Sequence, residues 1–175
     1  MKNIILIGFM GTGKSSVGRL LAARLGRRFI DVDRRIEQES GLPISEIFAR
    51  HGEAWFRAKE KDVIARVARY RRAVIATGGG VVLDPANMER LRAGGVIVCL
   101  TAPVQTILER TGRRNTRPLL ARPDREEVVA RLLAERVPLY GAADFTLDTG
   151  NLSPRLAAEK IIAFLRQEGH INGRH

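Results

Sequence analysis

The octapeptide Gly8-Phe9-Met10-Gly11-Thr12-Gly13-Lys14-Ser15 constrains this chain more than any other feature. It meets G-x-x-x-x-G-K-[ST] at every specified position. An apolar run over residues 3–7 precedes it and reads as a buried strand; a helical pattern over 14–25 follows. In that setting the glycines let the backbone curl until successive N–H groups face one oxyanion, and the following helix adds its positive N-terminus. A strand–loop–helix unit of this kind is made for the phosphates of a nucleotide. Gly11, Thr12, Gly13, Lys14, Ser15 and Ser16 are therefore the candidate ATP-binding residues. Lys14 is expected to reach the β- and γ-phosphates, and the Ser15 hydroxyl to ligate Mg2+.

A parallel strand needs covering on both faces, and the remaining pattern supplies the cover. Apolar runs at 28–31, 73–76, 96–100 and 145–147 alternate with helical patterns at 53–70, 85–92, 104–110, 125–137 and 154–167. Asp84 before Pro85 and Ser153 before Pro154 read as helix N-caps with proline at the first helical position. The expected fold is a single α/β domain over residues 1–175 with a parallel sheet flanked by helices. Two stretches fall outside the alternation: residues 33–51, mostly helical, and residues 111–124, a loop rich in Pro and Arg that reads as a lid.

Hydrophobic residues make up 45% and charged residues 28% of the 175, which excludes disordered and fibrous classes. No apolar run approaches the ~20 residues of a membrane span, so no membrane partner is expected. The apolar start runs straight into the glycine loop and lacks a cleavage site, so it reads as a strand rather than a signal peptide. Cys99 is the single cysteine; it sits in an apolar run and reads as a buried structural thiol, in keeping with a cytoplasmic protein. His51, His170 and His175 lack the paired spacing of a zinc site. The tail from Gly169 to His175 reads as frayed.

The formal charge of +11 fits either a nucleic-acid footprint or a site for small polyanions on an arginine-rich surface. The cations are spread along the chain, no nucleic-acid-binding module is recognisable, and no nucleic-acid partner is expected. Phosphate loops serve several reactions. No guanine-reading N-K-x-D is present, which argues against a GTPase. A motor or helicase would be larger, so a small kinase is favoured, with a monomer as the default state.

From Asp31 onward the chain resembles shikimate kinases. The resemblance rests on Asp31-Val32-Asp33-Arg34-Arg35-Ile36-Glu37, the segments 41–48 and 52–60, Thr77-Gly78-Gly79-Gly80, Arg117-Pro118-Leu119-Leu120 and Arg136-Val137-Pro138-Leu139-Tyr140, in that order. It implies a five-stranded sheet of order 2-3-1-4-5, a small substrate-binding subdomain over 33–60, and phosphorylation of shikimate by ATP with Mg2+. A kinase for another small hydroxy acid, such as gluconate, is the alternative.

Two carboxylates one residue apart at a strand end are expected to point to opposite sides. The resemblance implies that Asp31 supports Mg2+ and that Asp33 holds the attacking hydroxyl, as orienter, as general base, or both; capping the next helix is the competing role. It further implies that Arg57 and Arg136 hold the substrate carboxylate, with Gly78, Gly79 and Gly80 beside the ring. Among 25 arginines only sequence context singles these two out. The guanidinium fork matches a carboxylate, which is the chemical reason arginine suits the task. Arg117 resembles the lid arginine that meets ATP phosphates in the transition state. Arg110 and Pro154 resemble the residues on either side of adenine, although the segment 151–153 lacks the arginine some relatives carry there; Arg155 is a candidate substitute. Ile44, Phe48, Trp55 and Phe56 read as a small core beneath the substrate subdomain.

Overall fold

The computed structural model describes residues 1–112 and 124–172. Five parallel strands form one sheet: β1 (Asn3–Gly8), β2 (Arg28–Asp31), β3 (Ala73–Ala76), β4 (Gly95–Thr101) and β5 (Phe145–Asp148), in the order β2-β3-β1-β4-β5. The expected sheet and strand order are both present. Strand periodicity then sorts the core. Ile5 and Ile7 of β1, Ile75 of β3 and Ile97 and Cys99 of β4 join one buried layer. Ile4, Leu6, Val74, Val96 and Val98 join the other.

Helices α1 (Lys14–Leu25) and α8 (Pro154–Gln167) cover the second layer. The first is covered by α2 (Val32–Ser40), α3 (Ile44–His51), α4 (Glu53–Val67), α5 (Pro85–Gly94), α6 (Val104–Gly112) and α7 (Arg125–Tyr140). Asp84 and Ser153 cap α5 and α8 as expected, accepting from Ala86 N at 2.9 Å and Leu156 N at 3.2 Å. Between β3 and α5 the chain makes a short 3-10 turn at Val81–Leu83.

Several expectations change. Helix α7 does not stop before Pro138 but runs to Tyr140. A proline in the last turn forfeits one helical bond, and the buried Tyr140 holds that turn by donating its hydroxyl to Gly79 O at 2.9 Å. Asp33 does not share a strand end with Asp31. Asp31 closes β2 and caps α2, accepting from Arg34 N at 3.2 Å, whereas Asp33 lies in the first turn of that helix. Capping therefore belongs to Asp31. Trp55 is not core: it is 39% exposed and stacks on His51 with ring centroids 4.6 Å apart. Phe48 and Phe56 do pack together, at 4.9 Å. The tail is docked as far as Ile171, which is buried with its N–H on Leu165 O.

Asn3, at the start of β1, ties the lower end of the sheet to the turn before β3. Its fully buried amide donates to Tyr70 O at 2.7 Å and accepts from Ala73 N at 3.0 Å. Asn3→Ala would orphan both groups at a cost of about 1–3 kcal/mol. The midpoint of thermal unfolding should fall by roughly 2–12 °C for a domain of this size; a change under about 1 °C would show that the clamp does not contribute.

Candidate active site

The site forms at the carboxyl ends of the strands, where open α/β sheets bind ligands. β1 ends in Gly8, whose φ of 141° and close approach to Leu100 O leave no space for a side chain. The loop then turns into α1 through Gly13, at φ 97°. No side chain caps this helix and no acidic residue occupies its first turn, so its N–H groups and partial positive charge face the loop. The Lys14 ammonium is drawn inward, donating to Gly8 O at 2.7 Å and Phe9 O at 2.8 Å. Thr12 is fully buried and fastens the loop from below through its hydroxyl on Phe9 O, at 2.7 Å. Ser15, one residue into the helix, donates its hydroxyl to Asp31 Oδ2 at 2.7 Å. Ser16 lies beside it, half-buried.

On the α6 side, Arg110 reaches across to the loop. Its guanidinium donates to Gly11 O at 3.1 Å and to Thr149 O at 2.6 Å. Thr149, just past β5, donates in turn to Thr12 O at 2.7 Å. Pro154 opens α8 and is exposed, while Arg155 is engaged with Glu159 at 3.3 Å on the surface. Sequence reasoning missed Thr149; a threonine after a short strand carries no local signal.

The second half of the site gathers around Gly78, Gly79 and Gly80, directly after β3. A Cβ on Gly78 would lie 2.7 Å from Asp33 Oδ1 and 3.0 Å from Glu60 Oε2. One on Gly79 would lie 3.3 Å from Met10 N and 3.4 Å from Arg136 Nη1, and one on Gly80 would overlap the Arg57 guanidinium. These glycines are spacers: their missing side chains let two carboxylates and two guanidinium groups close on one backbone turn that abuts the phosphate loop. Asp33, Arg57 and Arg136, far apart in sequence, thus meet within one cleft.

Their electrostatic settings differ. Arg57 donates to Glu60 Oε1 at 3.0 Å and lies 3.5 Å from the more exposed Glu53. Glu60 is 1% exposed; burial pushes its carboxyl above the usual range, and Arg57 pulls it back only in part. Arg136 is 4% exposed and sits over the Phe9 ring, 5.3 Å from its centroid, beside the Tyr140 hydroxyl. Burial raises that hydroxyl to about 12, so it remains a donor to Gly79 O. Among the described residues Arg136 takes part in no ion pair. Glu60, Tyr140 and Phe9 were missed as site residues. The signal for Glu60 was its spacing of three from Arg57, which places both on one face of α4.

Arg117 and most of the expected lid, residues 113–123, lie outside the described residues. Cys99 is buried, and desolvation pushes its thiol up to about 11, which fits a structural role.

Comparisons with known proteins agree with this geometry. The family model for shikimate kinase matches residues 10–166. A shikimate kinase of Thermodesulfovibrio yellowstonii is 53% identical over 162 residues, covering 93% of this chain and 94% of the relative. One from Pelotomaculum thermopropionicum is 46% identical over 171 residues, covering 98% and 99%. Among solved structures, the shikimate kinase of Acinetobacter baumannii in complex with shikimate superposes with a TM-score of 0.93 at 40% identity, covering 96% of this chain and 94% of that one. A phosphate loop joined by a glycine turn to a cleft of two arginines and two carboxylates, matched along nearly its whole length, places this chain in the shikimate kinase family.

Proposed function

We propose that the chain transfers the γ-phosphoryl group of ATP to the 3-hydroxyl of shikimate, giving ADP and 3-phosphoshikimate for aromatic amino-acid synthesis in the cytoplasm. The observation that carries the acceptor is the buried Arg136, which is in no ion pair among the described residues. A guanidinium withdrawn from water without a carboxylate is costly, by several kcal/mol, and a substrate carboxylate offsets that cost. Arg57 offers the second fork, and its bond to Glu60 keeps it aimed at the cleft. The Phe9 ring supports Arg136 from the phosphate-loop side.

Phosphoryl transfer depends on alignment and charge stabilisation more than on covalent steps by the protein. Lys14 leaves the carbonyls of Gly8 and Phe9 to meet the β- and γ-phosphates, while the open N-terminus of α1 receives the rest of the chain of phosphates. Asp33 accepts a hydrogen bond from the attacking hydroxyl and orients it, with proton removal as the metaphosphate-like group arrives. Arg117 of the lid neutralises charge on the transferred group. Arg110 and Pro154 flank the adenine. The paired oxygens of Ser15 and Asp31, 2.7 Å apart, suit Mg2+, a hard cation that is bound by few protein oxygens together with water and phosphate. When bound there, Mg2+ would supply positive charge that offsets the negative charge of the nucleotide phosphates.

Release of ADP from ATP–Mg2+ should be strongly stimulated by shikimate, on the ~1–100 s⁻¹ scale of kinases. Stimulation by gluconate instead, or by no acid, would overturn the acceptor assignment. Asp33→Asn should cut turnover by ~10²–10⁴-fold with nucleotide affinity largely kept; near-normal turnover would remove Asp33 from the chemistry. Arg57→Ala and Glu60→Gln should both raise KM for shikimate, by about tenfold or more for the first, with a smaller change in kcat. An unchanged KM in Arg57→Ala would take that residue out of the carboxylate site.

A further inference from the structure

The opposite end of the sheet carries a feature that the kinase chemistry does not use. A groove of about 780 Å3 opens between the C-terminal ends of α4 and α5 and the start of the chain. Lys2, Arg69, Arg71 and Arg90 border it, Tyr70 lines it, and alanines of the two helices form much of its remaining wall; no carboxylate lines it. Among the described residues none of the four cations is in an ion pair. Cations at helix C-termini ordinarily answer the macrodipole. Two helix ends supply only about −1 in all, however, against four positive side chains, so a net charge near +3 remains.

Further cations stand behind the rim. The Arg27 guanidinium donates to Lys2 O at 2.8 Å, and Arg28 lies over the Tyr70 ring at 5.5 Å from its centroid. Burial, and then repulsion from Arg72, lowers the Arg27 pKa, so like charges are crowded here. Arg72 has φ 59°, the one positive value among described non-glycine residues, a left-handed backbone that strains a residue with a side chain. The Asn3 amide holds that turn on both sides, at Tyr70 O and Ala73 N. The Arg69-Tyr70-Arg71-Arg72 run is thus presented on a rigid, strained turn in spite of its own repulsion.

We propose that this groove is a second binding site, for single-stranded nucleic acid. Guanidinium forks match phosphate oxygens, and the half-buried Tyr70, packed on the core with Arg28 over its ring, adds an apolar wall beside them. The site is concave, with no helix or ribbon projecting to enter a duplex groove, so a flexible strand fits it better than a double helix. The sequence shows no nucleic-acid-binding module because the site is assembled from three separate segments: the chain start, the α4–β3 turn and α5. It lies at the strand N-termini, away from the phosphate loop, and both sites can be filled together. The inference is independent of the acceptor assignment.

The test is fluorescence anisotropy of a labelled 12-nucleotide oligouridine with the full chain between about 50 and 200 mM KCl, where counterion release shows as a salt dependence. Binding should be micromolar at the low end, and log K should fall with log salt with a slope of about −2 to −3 for three or four phosphates. Arg69→Gln/Arg71→Gln/Arg90→Gln should weaken it about tenfold or more and lessen the slope by about 2. A control that removes equal charge elsewhere, Arg19→Gln/Arg155→Gln/Lys160→Gln, should change affinity less than about twofold, since distant exposed charges are largely screened. Unaltered kinase turnover in the groove variant shows that it is folded. Equal weakening by both triple variants would reduce the effect to overall charge and overturn the site. So would tighter binding of a duplex, equally effective displacement by poly-glutamate, or no measurable binding at the lowest salt.

Discussion

Everything in the cleft depends on the central position of β1. Its six residues are fully buried and run in register beside β4 from Asn3 opposite Gly95 to Gly8 opposite Leu100, with β3 on the other side. That double ladder sets where the chain emerges as Gly8. Because Leu100 O presses against Gly8, the phosphate loop cannot slide relative to β4. The glycine turn after β3 is held just as firmly, through Thr77, whose N–H and hydroxyl both donate to Leu6 O at 3.1 and 2.9 Å. Donor and acceptor halves of the site are therefore mounted on adjacent strands, and their spacing is a property of the sheet rather than of a mobile connection.

On that frame, buried charge is handled in three ways. Lys14 rests on the carbonyls of Gly8 and Phe9. Glu60 is paired with the partly exposed Arg57, and burial of the carboxyl still lifts it above its ordinary range. Arg136 has an aromatic face and a tyrosine hydroxyl but no ion partner among the described residues, which leaves it receptive to an anion. Low local polarity makes each of these groups respond strongly to a charged ligand. Phe9 links the halves, since its carbonyl receives Lys14 while its ring supports Arg136.

Exposed ion pairs contribute far less. Arg50 with Glu46 and Arg66 with Asp62 sit on helix surfaces at i,i+4 spacing, where such pairs are worth about 0.3–0.5 kcal/mol. The basic groove at the other end of the sheet differs from these pairs. Among the described residues its four cations are in no ion pair, and the turn that bears Arg69 and Arg71 is held against strain by Asn3. Surface neutralisation does not account for it.

Local pattern sufficed for much of the molecule. Near-continuous apolar runs, Asp-Pro and Ser-Pro helix starts and the glycine–lysine loop each act within a few residues, so strands, caps and the phosphate site were legible in the sequence. Motif order along the chain also pointed to Asp33, Arg57 and Arg136. Tertiary structure decided what depends on distant segments. Pro138 was tolerated because Tyr140 found Gly79 O. Trp55 turned outward while its neighbour Phe56 went in, because one face of α4 meets the core and the other meets water. Glu60 was buried beside Arg57 and Asp33, and Arg136 was left outside every ion pair among the described residues, because charges met only once β3 had brought its glycines between α2, α4 and α7. A chain can state which side chains it owns and how each segment prefers to coil; which charge will lack a partner is decided by long-range packing.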